Sequence, residues 1–284
     1  MITSIANNYS FDKDGVTQSL MAMYVGCPRS FAIATHALSQ PSKFVMELGT
    51  FGHKMIETGG KGIPKYTMGK IVTTEQREQA KAYMEAIIPA YFHRYKREDA
   101  KYRVNPEYVF DTRISGVRFR GKIDAILSSG KGGRLDLKET KFKARISEND
   151  LNQYLGMDWQ SLCYVVAVLL EQKRPPKGVI YDVVRYPTIK PGMLPKDIFD
   201  TVSKGAKKDP DHWFKRWSTE FDELEIMAFH GELQQKIMEM KDRKIWYRNQ
   251  CNCNKGFKCQ YIDYCSTDKT DMLITKKLFS ELED

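Results

Sequence analysis

The sequence predicts a mixed α/β fold, one sheet sandwiched between helices, and two observations carry that expectation. The first is a change of hydrophobic period: helical spacing runs to about residue 98, strand alternation takes over from 107 to 141, and a helix and a further strand follow. The second is the resulting order of helix, three strands, helix and strand, which buries one mixed sheet between helical layers.

Residues 17–38 are apolar and helical, with a break at Gly26-Cys27-Pro28. Residues 43–58 place Phe44, Leu48, Phe51 and Met55 on one helical stripe, and 75–98 do the same with Ala80, Tyr83, Ile87 and Tyr91. EYVFDTRI (107–114), VRFRGKIDAIL (117–127) and RLDLKETK (134–141), separated by Ser/Gly turns, read as an antiparallel meander. A helix over about 150–171 starts at Asn149 or Asp150, both good N-cap types. VIYDVVRYP (179–187) is a fourth strand, closed by Pro187. Residues 188–211, rich in Pro, Gly and Lys, read as a mobile excursion, and helical spacing resumes over about 219–246. A single domain is expected, with a core at about 43–187 and both ends, about 15–40 and 219–270, packed over it.

The chain has 284 residues, is 42% hydrophobic and carries a net charge of +9, a balance that permits a polyanionic partner without requiring one. It contains no apolar run of the ~20 residues that span a bilayer. MITSIANNYSFDKDG has no secretory signal pattern, so no membrane partner and a cytoplasmic location are expected. Four of the six cysteines fall in CNCNKGFKCQYIDYC (251–265); in a reducing cytosol, clustered thiols bind metal more often than they form disulfides. Cys163 sits in an apolar stretch and reads as a core thiol.

The charges of GKIDAILSSGKGGRLDLKETK (121–141) need an account. Strand alternation allows Asp124, Asp136 and Lys138 to share one face of the sheet. That face is either a half-exposed, salt-bridged surface or a divalent-metal site, where two carboxylates hold Mg²⁺ or Mn²⁺ and an ammonium group orients water.

GKID (121–124) followed by LDLK (135–138) resembles the PD-(D/E)xK nuclease superfamily, in particular its RecB-like branch of CRISPR-associated and phage exonucleases with iron–sulfur clusters. Its core, a restriction-endonuclease-like helix, three-strand meander, helix and strand, has the order predicted above. LGTFGHKMIE (48–57) resembles the branch's helical G-x-x-x-H element, and QSLCY (160–164) its Q-x-x-x-Y motif. The resemblance extends over roughly 15–270. It implies that His53, Asp124, Asp136 and the Leu137 carbonyl hold the metal, that Lys138 positions and activates water, and that Gln160 and Tyr164 steady the site or the DNA backbone. Glu139 and Lys141 form a rival E-x-K further along the same strand, projecting from the opposite face, and rank below the Asp136–Lys138 register.

The same branch often joins its two ends with a [4Fe–4S] cluster. By that resemblance Cys27, in CPRSF, would join Cys253, Cys259 and Cys265, with Cys251 a spare ligand. A Cys₄ zinc site is the alternative. The implied function is a metal-dependent DNA exonuclease acting on single strands or ends in recombination, repair or replication, of phage type, with a helicase or recombination partner. A structure-specific or nicking endonuclease, or a weakly active nucleic-acid-binding module, are the alternatives. Arg118, Arg120, Lys122 and basic residues of 188–216 are candidates for phosphate contacts, and Trp213 and Phe214 for base stacking.

Overall fold

The computed structural model describes residues 2–62, 68–69, 72–130, 133–145, 155–253 and 259–282. The Thr17 side chain accepts the Leu20 N–H and starts α1 (Gln18–Gly26). Pro28, with no N–H to continue that ladder, restarts the chain as α2 (Pro28–Thr35). A two-residue strand, β1 (Leu38–Ser39), precedes α3 (Phe44–Glu57) and α4 (Thr74–Asp99), and Thr73 and Gln76 close a capping box on α4.

The predicted meander follows as β2 (Arg103–Ile114), β3 (Val117–Ser128) and β4 (Leu135–Lys143). Helix α5 (Trp159–Gln172) then carries the chain back so that β5 (Gly178–Arg185) lies parallel to β4. The expected helix start at Asn149 or Asp150 lies outside the described residues; α5 is capped by Asp158, whose carboxylate accepts the Ser161 N–H at 2.8 Å.

Residues 188–211 are not an irregular excursion. They include α6 (Pro195–Lys208) and lead into α7 (Pro210–Trp213). Ile198, Val202 and Ala206 recur every fourth residue and pack with Tyr83, Ile87 and Tyr91 of α4; the surrounding lysines hide this stripe from a reading by composition. A fifth strand, β6 (Phe214–Glu220), pairs antiparallel to β5 and completes the order β2-β3-β4-β5-β6.

Helix α8 (Glu223–Lys241), the short α9 (Ile262–Thr267) and β7 (Ile274–Thr275), which pairs with β1, complete the chain. The two ends share a core. Phe31 stacks on Trp246 at 5.4 Å between ring centroids, and Tyr24, Tyr261, Tyr264 and Phe279 are buried in the same cluster. One face of the sheet meets α4 and α6; the other meets α5, with α1, α2 and α8 around it. Among the described residues no helix is long and apolar enough to cross a membrane.

Candidate active site

Strands β3 and β4 are paired from Ser128↔Leu135 to Ala125↔Lys138, and there the pairing stops. The next residues outward are Asp124 and Glu139, so they flank the point where the strands separate. Beyond it the Thr140 N–H has no β3 carbonyl to meet and instead donates to Asp124 Oδ2 at 2.7 Å. From α3, His53 Nδ1 lies 3.3 Å from Asp124 Oδ1. Gly52 allows this approach, since a Cβ there would collide with the Phe142 ring at 2.2 Å.

Lys141 forms an ion pair with Glu139 and donates to Gln160 Oε1 at 3.0 Å. Gln160 Nε2 donates to Glu139 Oε1 at 2.9 Å and to the Tyr164 hydroxyl at 3.1 Å. The predicted i, i+4 pair on α5 therefore reaches the sheet, and His53, Asp124, Glu139, Lys141, Gln160 and Tyr164 form one continuous cluster.

The register corrects the expectation for Asp136, Leu137 and Lys138. Ala125 faces Lys138, so Asp124 shares a face with Glu139 and not with Asp136 or Lys138. Asp136 is buried and receives Arg134 Nε at 2.7 and 2.8 Å, while Arg134 also reaches Glu220 at 2.5 Å. Lys138 donates to Asp99 at 2.8 Å and lies 3.5 Å from Asp182. Arg216 binds Asp182 through Nε at 2.7 Å and Asp99 through Nη1 at 2.7 Å, and Tyr91 donates to Asp182 at 2.6 Å. These residues tie the sheet to α4 on the face away from Asp124. Leu137 is buried in the centre of the sheet, opposite Ile126 on one side and Val179 on the other.

Burial alone would raise the Asp99 pKa, but Arg216 and Lys138 hold it below the usual carboxylate value. A carboxyl depressed in the folded state adds stability above its unfolded pKa and loses it as pH falls through the folded pKa. Asp99→Asn is therefore expected to lower stability at neutral pH and to lose less than wild type on further acidification, as read by urea unfolding across the acid range.

Carboxylate repulsion and the opposing positive charges of His53 and Lys141 set the electrostatics of the cluster. Burial, then the neighbouring Asp124, push Glu139 up to about 7, against Lys141 and His53. Its Oε2 is buried and has no hydrogen-bond partner. Asp124 is held down, burial being outweighed by His53, Lys141 and the Thr140 N–H. His53 is raised because Asp124 outweighs the opposing effect of burial. Lys141 is raised too: burial favours its neutral form, and Glu139 and Asp124 overcome it. Among the described residues no three His, Cys, Asp or Glu side chains are arranged as a ready-made metal site. The donor set nevertheless fits a hard divalent ion, with two mutually repelling carboxylates, an orphaned carboxylate oxygen and a histidine beside them.

Of the other basic candidates, Arg118 is clamped on Asp111 at 2.9 and 3.0 Å, Lys122 pairs with Glu107 at 2.5 Å, and Arg120 lies 4.5 Å over the Phe279 ring. Trp213 and Phe214 are buried core residues, which corrects their candidacy for base stacking.

At the other end of the molecule, Cys27 caps α2, and its Sγ accepts the Asn249 N–H at 3.3 Å. The side chains of Asn249 and Asn252 both donate to the Gly26 carbonyl, and Arg29 donates to the Trp246 and Tyr247 carbonyls. Cys259 N–H donates to the Cys253 carbonyl at 3.0 Å. The Cys259 thiol is pushed up by burial and by nearby Cys27 and Cys253, and Cys265 by burial, Cys259 and Cys27. Cys259 thus lies within electrostatic reach of Cys27, Cys253 and Cys265, and Cys265 within reach of Cys27, whereas Cys251 is exposed; no disulfide links them.

The profile of the PD-(D/E)XK nuclease superfamily matches residues 16–266, and the chain belongs to that superfamily of phosphodiester hydrolases. A crystal structure of a "Putative exonuclease" from Eubacterium rectale has the same fold, with a TM-score of 0.50 at 14% identity over 92% of this chain and 96% of that one. The structure of SSO0001 aligns at a TM-score of 0.26 and 11% identity over 72% of this chain and 77% of that one. No curated protein sequence matches the chain.

Proposed function

We propose that the protein is a divalent-metal-dependent deoxyribonuclease working as an exonuclease on single strands or ends. The observation that supports this most is the meeting of His53, Asp124, Glu139 and Lys141 where β3 and β4 separate, with a buried Glu139 oxygen lacking any partner. Asp124 and Glu139 would hold Mg²⁺ or Mn²⁺, with His53 and the Thr140 carbonyl, in the place expected of Leu137, as further donors. A bound ion supplies a water of lowered pKa and neutralises phosphate charge. Lys141 positions the attacking water and stabilises the negative charge that grows on phosphate oxygen. Gln160, bonded to both Glu139 and Lys141, fixes their orientation, and Tyr164 fixes Gln160.

In this reading Cys27, Cys253, Cys259 and Cys265 hold a [4Fe–4S] cluster, or zinc in its place, and so join both ends of a single nuclease unit. The half-buried thiols of Cys259 and Cys265, each raised by neighbouring cysteines, and the Asn249 N–H on Cys27 Sγ suit thiolate ligands. Phage type and a helicase or recombination partner rest on motif resemblance.

Hydrolysis of end-labelled single-stranded DNA with Mn²⁺ or Mg²⁺, then with EDTA, tests the activity. Stepwise release from ends, abolished by EDTA and absent on circular single strands, is the expected result. Cleavage of the circle would make the enzyme an endonuclease, and inertness on all substrates would favour a binding module.

A further inference from the structure

We propose that Trp217 is a nucleobase-stacking subsite beside the active site, an inference that rests on the nuclease reading above. The sheet register places Tyr181 of β5 next to Glu139 and Trp217 of β6 next to Tyr181, all on one face. Strands in a sheet lie about 4.8 Å apart, so Trp217 stands about 10 Å from Glu139. At ~3.4 Å per stacked nucleotide, that is within about three nucleotides of a phosphate held at Asp124 and Glu139.

The row has one closed and one open member. Tyr181 is buried with Leu155 over it, while Trp217, on the edge strand, is only half-buried.

The surroundings suit a polyanion. The same face, continued outward, carries Lys141 and Lys143 on β4, Arg185 on β5 and Lys215 on β6. Lys143 leans over the Tyr181 ring at 5.6 Å. Across these three strands, from the Glu139 row outward, Glu139 itself is the one acidic residue on that face. Cations that follow a backbone, with an aromatic ring at the end of the row, are the anatomy of a single-strand site that takes any base.

The test separates base stacking from phosphate attraction. Wild type, Trp217→Ala, Trp217→Leu and Trp217→Phe are titrated in EDTA, which prevents cleavage, with labelled oligothymidylate and with an abasic oligomer of equal length. Wild type is expected to prefer the base-bearing strand, with Trp217→Ala and Trp217→Leu losing about 5- to 100-fold on it and almost nothing on the abasic strand. Trp217→Phe should retain most of the preference. The leucine variant keeps an apolar contact with Leu155, so the comparison stands if the alanine variant does not fold. Equal preference in wild type and the leucine variant, or no preference in wild type, would overturn the subsite and leave the nuclease reading intact. Failure of wild type to bind either strand would overturn both.

Discussion

Lys141→Ala and Glu139→Ala are each expected to lower metal-dependent DNA hydrolysis by about 10²–10⁴-fold, the usual range for losing a positioned acid–base or charge-stabilising group. Asp136→Asn and Lys138→Met should stay within roughly threefold of wild type, because the loss of either leaves the Asp124 cluster untouched. Their effect falls on stability. Lys138 is buried between Asp99 and Asp182, and its replacement takes a partner from the buried Asp182 and the half-buried Asp99, at a cost of about 1–3 kcal/mol in urea unfolding. The four variants thus separate two functions along one strand. The opposite pattern, with Asp136 and Lys138 essential and Glu139 and Lys141 dispensable, would show a β3–β4 register one residue away from Ala125↔Lys138.

The second large effect concerns the cysteines. Anaerobically purified wild type is expected to carry about four iron atoms with matching acid-labile sulfide. Cys259→Ser should lose them, and Cys251→Ser should keep them. The chain between Cys27 and Cys253 is long, and by loop-closure entropy a cross-link across it contributes about 5 kcal/mol. Cys259→Ser should therefore melt well below wild type and be cut by protease at both ends. Stoichiometric zinc in a colourless protein would point to a Cys₄ zinc site, and neither metal in protein purified without chelators would remove the cross-link reading.

Much of the fold is legible from local pattern. The break at Cys27-Pro28 follows from a residue that cannot donate, and the stripe of Ala80, Tyr83, Ile87 and Tyr91 declares the face of α4. Strand β6 is harder to see. In FKRWSTE the inward-facing Arg216 is polar because it answers Asp182 and Asp99, so alternation shows no clear apolar face. In α6 the burying stripe is present, and the lysines around it dominate the composition.

The candidate site divides in the same way. Gln160 and Tyr164 lie at a spacing that helix geometry turns into neighbours, and the structure brings them into one cluster with His53 and Asp124. The choice between Asp136–Lys138 and Glu139–Lys141 is of another kind. Both pairs have the same i, i+2 spacing on β4, a central strand with helices over both faces, where alternation carries no inside–outside contrast. Which pair meets Asp124 depends on the parity of the β3–β4 register, set by the loop after Ser128, and a shift of one residue exchanges the faces. The sequence alone therefore determines the meander, most of the helices around it, their order and the residue types available for chemistry. The tertiary structure decides which of two equivalent charged pairs faces Asp124, because register is a relation between strands that neither strand encodes by itself.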